Sequence, residues 1–291
     1  MMADAPILLT GGTGQVGQAV VRHAAEQGLK LFAPDRAQME LTNVQSIADM
    51  VASRPWSTII NCAAYTAVDR AETEVELAEQ VNAVAPAILA AESAKRDIPI
   101  IHVSTDYVFD GTKDSPYTEE DDVNPLGVYG RTKEMGEAAV RKLNPRHAII
   151  RTAWVVSAGG ANFLNTMIRL ASERPEISVV DDQIGCPSNA SDIAQALLNV
   201  AHQNGRFGTW HFVNGGEASW FNLAAHLYTE MKRRGLNTPV VHAIPTSQYP
   251  TPAKRPRNSR LSTAAIQRDF NIYPRHWHDA VDSIFAERFS K

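Results

Sequence analysis

At 291 residues, with 44% hydrophobic and 21% charged, the chain has the size and balance of one large α/β domain or two modest ones, which excludes disordered, collagenous and low-complexity classes. A formal charge of −4 supplies no global basic field to recruit nucleic acid or an anionic membrane surface. No apolar run is long enough to cross a bilayer, residues 7–9 after Met1-Met2-Ala3-Asp4 are too short for a leader, and two cysteines, Cys62 and Cys186, make no disulfide framework, so a reducing, cytoplasmic setting is expected.

The first half alternates short apolar runs with longer helical patterns. Residues 6–10 read as a strand, 15–27 as an amphipathic helix closed by Gly28, and 29–33 as a second strand. Residues 58–63 and 98–104 are continuous apolar strands of the kind buried on both faces. Between them a helix is predicted over 75–95, with Pro86 as a kink. A helix over 129–143 then leads to a strand over 148–152. Such alternation predicts an α/β fold with a Rossmann-type, doubly wound parallel sheet. Beyond residue 152 Pro, Gly, Asn and Trp rise: helices are predicted over 163–172, 191–201 and Trp220–Arg233, a short strand over 210–213, and a Pro-rich loop over 245–256. The expected organisation is a dinucleotide-binding domain over 1–152, completed by part of 190–215, and a mainly substrate-binding, smaller α/β domain over 153–291.

Gly11, Gly14 and Gly17 are spaced G-x-x-G-x-x-G directly after the first strand and open a helix. Glycines there permit a tight turn, a close approach to a pyrophosphate and close helix–strand packing, with the helix N–H groups facing the phosphates. Past the second strand, Asp35 is placed to take the ribose hydroxyls of NADH, whereas its neighbour Arg36 is placed to face the 2′-phosphate of NADPH; the pair leaves the cofactor choice open.

Tyr129 and Lys133 lie four residues apart, on one face of the predicted helix. A phenol titrates too high for proton exchange near neutrality, and a neighbouring ammonium is expected to lower it. Thr105, in Ser104-Thr105-Asp106, ends a buried strand, the place where open α/β sheets bind ligands, so its hydroxyl is placed to hold a carbonyl while Tyr129 protonates it.

These motifs resemble the extended short-chain dehydrogenase/reductase superfamily, and within it the dTDP-4-dehydrorhamnose reductase family. The segments carrying the likeness are Thr13-Gly14-Gln15-Val16-Gly17, Asn61-Cys62-Ala63-Ala64-Tyr65-Thr66-Ala67-Val68-Asp69, Ser104-Thr105-Asp106-Tyr107-Val108-Phe109 and Pro125-Leu126-Gly127-Val128-Tyr129-Gly130-Arg131-Thr132-Lys133. They continue in Arg151-Thr152-Ala153-Trp154-Val155, Asp182-Gln183-Ile184-Gly185-Cys186-Pro187 and Arg255-Pro256-Arg257-Asn258-Ser259-Arg260-Leu261. The resemblance implies reduction of a 4-keto sugar nucleotide, dTDP-4-dehydro-L-rhamnose to dTDP-L-rhamnose, with NADPH or NADH. It implies Thr105, Tyr129 and Lys133 as the catalytic set. Gly14, Gln15 and Val16 would cover the cofactor phosphates, Ala63, Ala64, Tyr65 and Thr66 would line the path to the nicotinamide, and Glu40 and Leu41 would lie near the adenine. Val68, Thr105, Asp106, Tyr129 and Trp154 would meet the sugar nucleotide.

Lys254, Arg255, Arg257 and Arg260 crowd one loop, and Arg257 and Asn258 are the candidates there for holding the substrate diphosphate. Some family members bridge a dimer through magnesium with a glutamate where this chain has Ala19, so no metal is expected, and the chain is read as a monomer or homodimer. His276 and His278 read as exposed helix surface rather than ligands, and His102 as a packed core residue. Two other functions share much of the pattern: an epimerase or dehydratase of the same superfamily, which would retain its cofactor, and a non-catalytic cofactor-binding regulatory subunit.

Overall fold

Six strands lie side by side: β1 (Ile7–Thr10), β2 (Leu31–Phe32), β3 (Thr58–Asn61), β4 (Ile100–Thr105), β5 (His147–Thr152) and β6 (Gly208–His211). Their order is β6-β5-β4-β3-β1-β2, and every neighbouring pair is parallel. The computed structural model describes residues 5–203 and 205–289; Met1-Met2-Ala3-Asp4, used above in arguing against a leader, lie outside them.

Period-two geometry sorts the strand residues between two cores. Leu9, Ile60, Ile101 and Ile150 face one side, where they meet Val20 of α1 (Gln15–Glu26) and Ile193 and Leu197 of the helix Ala190–His202. Leu8, Ile59, Ile100 and Ile149 face the other, against Ile47 of α2 (Val44–Ala52), Leu89 of α3 (Ala85–Ala94) and Val140 of α4 (Val128–Leu143). Both faces are therefore dry, which is why the strands read as unbroken apolar runs.

The helix predicted over 75–95 is divided into Val75–Glu79, a π-helical turn Gln80–Val84, and α3. Pro86 stands in the first turn of α3 and brings no N–H to the carbonyl of Asn82, so the kink takes the form of a widened turn. A third core lies in the second half. The helices Phe163–Glu173, Trp220–Arg233 and Trp277–Phe289 enclose Leu164, Leu223, Leu227, Trp277 and Ile284. A parallel strand pair, Glu176–Val180 with Val240–Ile244, flanks it. None of the described helices is long and apolar enough to cross a membrane.

Candidate active site

β1 is the point where the strand order reverses, and the loop leaving its C-terminal end is the glycine loop. Gly11 takes φ +71°, and a Cβ there would lie 2.6 Å from the Ala63 nitrogen. A Cβ on Gly17 would lie 2.0 Å from the Gly11 carbonyl oxygen, so only glycine lets α1 lie this close to the loop. Gly14 caps α1 without a side chain, and the first turn holds no acidic residue. The first N–H groups and the positive end of the helix are thus left to an anion, and this cradle fits the pyrophosphate of a dinucleotide.

The loop opens into a cleft of about 1520 Å³ that runs along the strand ends. Gln15 and Val16 line it, and the Gln15 side-chain oxygen accepts from Ser157 Oγ at 2.6 Å and Asn162 Nδ2 at 2.9 Å. Further along lie Asp35, Arg36, Glu40 and Leu41. Asp35 and Arg36 are exposed, and Asp35 is tied into its own turn, accepting from the Gln38 N–H at 2.9 Å. The Glu40 carboxylate accepts from the Thr42 N–H at 3.1 Å.

Opposite the glycine loop, Ala63, Ala64, Tyr65, Thr66 and Val68 form a second wall. Sequence reasoning missed the residue that fixes it. Asn82, wholly buried in the π turn, accepts from the Tyr65 N–H at 2.8 Å and donates to the Tyr65 carbonyl and to Thr132 Oγ1, each at 3.1 Å. It pins this wall to α4, whose own start is capped by Glu72, which accepts from the Val128 N–H at 2.9 Å. An asparagine four residues before a helix proline was the available signal.

Thr105, Asp106, Tyr129, Lys133 and Trp154 converge at the cleft's inner end. Thr105 Oγ1 donates to Asp106 Oδ1 at 3.0 Å and accepts from the Tyr107 N–H at 3.2 Å. Burial pushes the Tyr129 phenol well above its ordinary value, against the influence of the neighbouring Thr105 hydroxyl. Lys133, 1% exposed, donates to the Val103 carbonyl at 2.8 Å and stands 3.4 Å from His102 Nε2. Burial lowers it to about 8, against the pull of Glu137. The expected lowering of the phenol by a neighbouring ammonium is thus corrected: desolvation is the largest influence on Tyr129, and Lys133 is aimed at β4. The same cause raises the buried Asp106 carboxyl to about 6, despite the hydrogen bond from Thr105. Trp154 holds φ +47° and stacks on Trp220 with centroids 3.5 Å apart.

Arg257 and Asn258 are not among the residues lining this cleft. Asn258 is buried and donates to the carbonyls of Lys113, at 2.7 Å, and Ser115, at 2.9 Å, so its amide ties the basic loop to a distant loop. Arg255 of that loop is paired with Asp69 at 2.8 Å. His102, expected as a packed core residue, is wholly buried, and its Nδ1 meets Asn61 Nδ2 at 2.9 Å. Among the described residues no group of three or more His, Cys, Asp or Glu is placed to hold a metal ion.

A phosphate cradle at the sheet's switch point, joined to a strand-end threonine and a Tyr–Lys pair one helical turn apart, defines an extended short-chain dehydrogenase/reductase. The chain belongs, within that class, to the dTDP-4-dehydrorhamnose reductase family: the profile of the RmlD substrate binding domain matches residues 5–289. It is 40% identical over 294 residues to the dTDP-4-dehydrorhamnose reductase of Salmonella typhimurium, covering 98% of each chain. The crystal structure of a dTDP-4-dehydrorhamnose reductase from Clostridium acetobutylicum superposes with a TM-score of 0.92 at 35% identity, covering 97% of this chain and 99% of that one. That of Bacillus anthracis, in complex with NADP, gives 0.93 at 31% identity over 98% and 99%.

Proposed function

We propose that this chain reduces dTDP-4-dehydro-L-rhamnose to dTDP-L-rhamnose with NADPH or NADH, using Thr105, Tyr129 and Lys133. The observation that carries this reading is the continuity of one cleft from the glycine cradle to those three side chains. NADPH or NADH, when bound, supplies the hydride that is delivered to the sugar C4 carbon. Gly11, Gly14 and Gly17 let its pyrophosphate approach the start of α1, Gln15 and Val16 cover it, and Ala63 to Thr66 line the way inward. Asp35 and Arg36, with Glu40 and Leu41, receive the adenosine end.

At the reacting end, the Thr105 hydroxyl polarises the substrate carbonyl and Tyr129 gives its proton to the carbonyl oxygen as C4 becomes tetrahedral. Raised above its ordinary value by burial, the phenol is protonated at neutral pH, the state a proton donor needs. Lys133 remains mostly ammonium below about 8 and would hold the nicotinamide ribose. Asp106, Val68 and Trp154 shape the sugar site, with Trp154 held flat by its stack on Trp220. The substrate is a sugar nucleotide rather than a nucleic acid, and the working unit is a cytoplasmic monomer or homodimer.

Purified protein incubated with dTDP-4-dehydro-L-rhamnose and each reduced cofactor should consume the nicotinamide absorbance and yield dTDP-L-rhamnose in equal amount. Tightly bound NAD with no net consumption would identify an epimerase or dehydratase instead. Cofactor binding with no turnover of any kind would identify a regulatory subunit.

A further inference from the structure

A line of buried polar groups crosses the sheet beneath the cleft. Parallel register sets Thr10 of β1 opposite Asn61 of β3, and Asn61 opposite His102 of β4. All three are at most 2% exposed. Thr10 Oγ1 donates to Asn61 Oδ1 at 2.5 Å, Asn61 Nδ2 meets His102 Nδ1 at 2.9 Å, and His102 Nε2 lies 3.4 Å from Lys133 Nζ. Apolar side chains would fill three such positions at less cost, since each buried polar group must find a partner. The line ends on the ammonium that the proposed reaction uses.

Its direction is set by an obligate donor. The Ala63 N–H donates to Asn61 Oδ1 at 3.2 Å, so the other end of that amide is the NH2 group, which donates to His102 Nδ1. Burial keeps the imidazole neutral, and the charges of Lys133 and Arg141 act in the same sense. A neutral ring whose Nδ1 accepts carries its hydrogen on Nε2. That N–H is aimed at Lys133 Nζ. An amine accepts it through a lone pair, whereas an ammonium has none and meets it donor to donor. The bond from Nζ to the Val103 carbonyl is available to both forms. Other titratable groups acting on Lys133 are Glu137, one turn along α4, and Cys62 beyond β3, both favouring the ammonium; Glu137 is itself paired with Arg151 of β5 and Arg141.

We propose that His102, locked in its Nε2–H tautomer by Asn61, is a positioning residue that favours the amine form of Lys133 and so sets where activity falls on the alkaline side. The meaning for turnover rests on the function proposed above, but the titration of Lys133 does not. His102→Asn keeps a partner for Asn61 near the Nδ1 position and removes the N–H aimed at Lys133; His102→Gln reaches the Nε2 position with an amide N–H. Lys133 is followed through its ε-carbon resonance in lysine-labelled protein without ligands. In His102→Asn its titration should move upward by about one pH unit, because a hydrogen bond to the neutral form is lost. His102→Gln should return it toward the native value, and the alkaline limb of kcat/KM should move with it. An unchanged Lys133 titration in His102→Asn, accompanied only by a lower Tm, would reduce His102 to packing. Should that variant fail to fold, the ring nitrogen shifts of His102 in the native protein decide: a neutral Nε2–H form supports the proposal, and an Nδ1–H or protonated ring overturns it. A native protein that reduces no sugar nucleotide would sink the functional reading alone, because the Lys133 measurement needs no substrate.

Discussion

Glu137→Gln removes one charge from beneath the reaction centre and almost no volume. The Glu137 carboxylate accepts from Arg151 Nε at 2.9 Å and Nη2 at 2.7 Å, and from Arg141 Nη1 at 2.9 Å. Its side chain is 0% exposed and that of Arg151 3%. Burial pushes the carboxyl up, but the hydrogen bond and charge of Arg151, with help from Ser104 and Arg141, leave it below its ordinary 4.5. Taking away one partner of such a pair leaves a buried guanidinium uncompensated, a loss of about 3–5 kcal/mol. Glutamine still accepts one N–H, so the expected cost at neutral pH is the lower figure, about 3 kcal/mol, or a Tm lower by about 5 °C. A carboxyl lowered in the folded state contributes stability above its unfolded pKa and loses it as pH falls through the folded value. The gap between native and variant should therefore narrow in urea melts repeated below the ordinary value of 4.5. Because Glu137 raises Lys133, the variant should also move the alkaline limb of kcat/KM downward, opposite in sign to His102→Asn. A neutral-pH difference under about 1 kcal/mol would refute the view that this pair holds α4 on β5.

Tyr129→Phe should fold and bind cofactor normally but lose about 10²–10⁴-fold in kcat, measured by cofactor consumption, since only the phenolic proton is gone. Gly17→Ala would drive a Cβ to 2.0 Å from the Gly11 carbonyl. The cradle must shift, and NADPH and NADH should both bind about 10- to 100-fold more weakly in fluorescence titrations. Arg36→Ala should weaken NADPH selectively, by about tenfold, and leave NADH nearly untouched; equal loss for both would make Arg36 a solvated loop residue.

What could be read from the sequence was what short-range spacing dictates. The glycine loop was legible because its backbone admits no other residue at Gly11 and Gly17, and the Tyr129–Lys133 pair because four residues of helix suffice to align it. Runs such as 58–63 were legible because both faces of the sheet are dry. The strand pair Glu176–Val180 with Val240–Ile244 was not: it is half exposed, carries Ser178 and His242 within it, and joins two segments far apart in the chain. The helix Trp277–Phe289 did carry a pattern in Trp277, Ala280, Val281, Ile284 and Phe285, yet its leading histidines drew attention to the surface. α2 begins on Asn43, whose side chain accepts from the N–H groups of Gln45 and Ser46, a start signal passed over in a polar stretch. In the basic loop, geometry invisible in sequence spends Asn258 on backbone and brings Arg255 to Asp69. The tie between His102 and Lys133 needs two sheet registers and the seating of α4 before it exists at all.

One cause runs through the whole reaction centre. Desolvation raises Tyr129, raises Asp106 to about 6, lowers Lys133 to about 8 and raises Cys62 to about 12. Each shift favours the uncharged form. A carboxyl raised in the folded state adds its cost as pH climbs from 3.8 to about 6, and an amine lowered in the folded state keeps its full cost until about 8 and sheds it toward 10.5. Between about 6 and about 8 Asp106 is mainly anion and Lys133 mainly ammonium, so the fold bears both penalties in the interval where a neutral-pH reductase works. Thr152 Oγ1, buried at the same cleft wall, adds a polar atom without a partner. A site left this short of compensation in the free chain gains most when polar ligand groups arrive, because fixed charges and donors in a dry cavity act on them undiluted by water. The stability given up at Asp106 and Lys133 is thus the same free energy that the cleft has available to bind and orient a charged sugar nucleotide and its reductant.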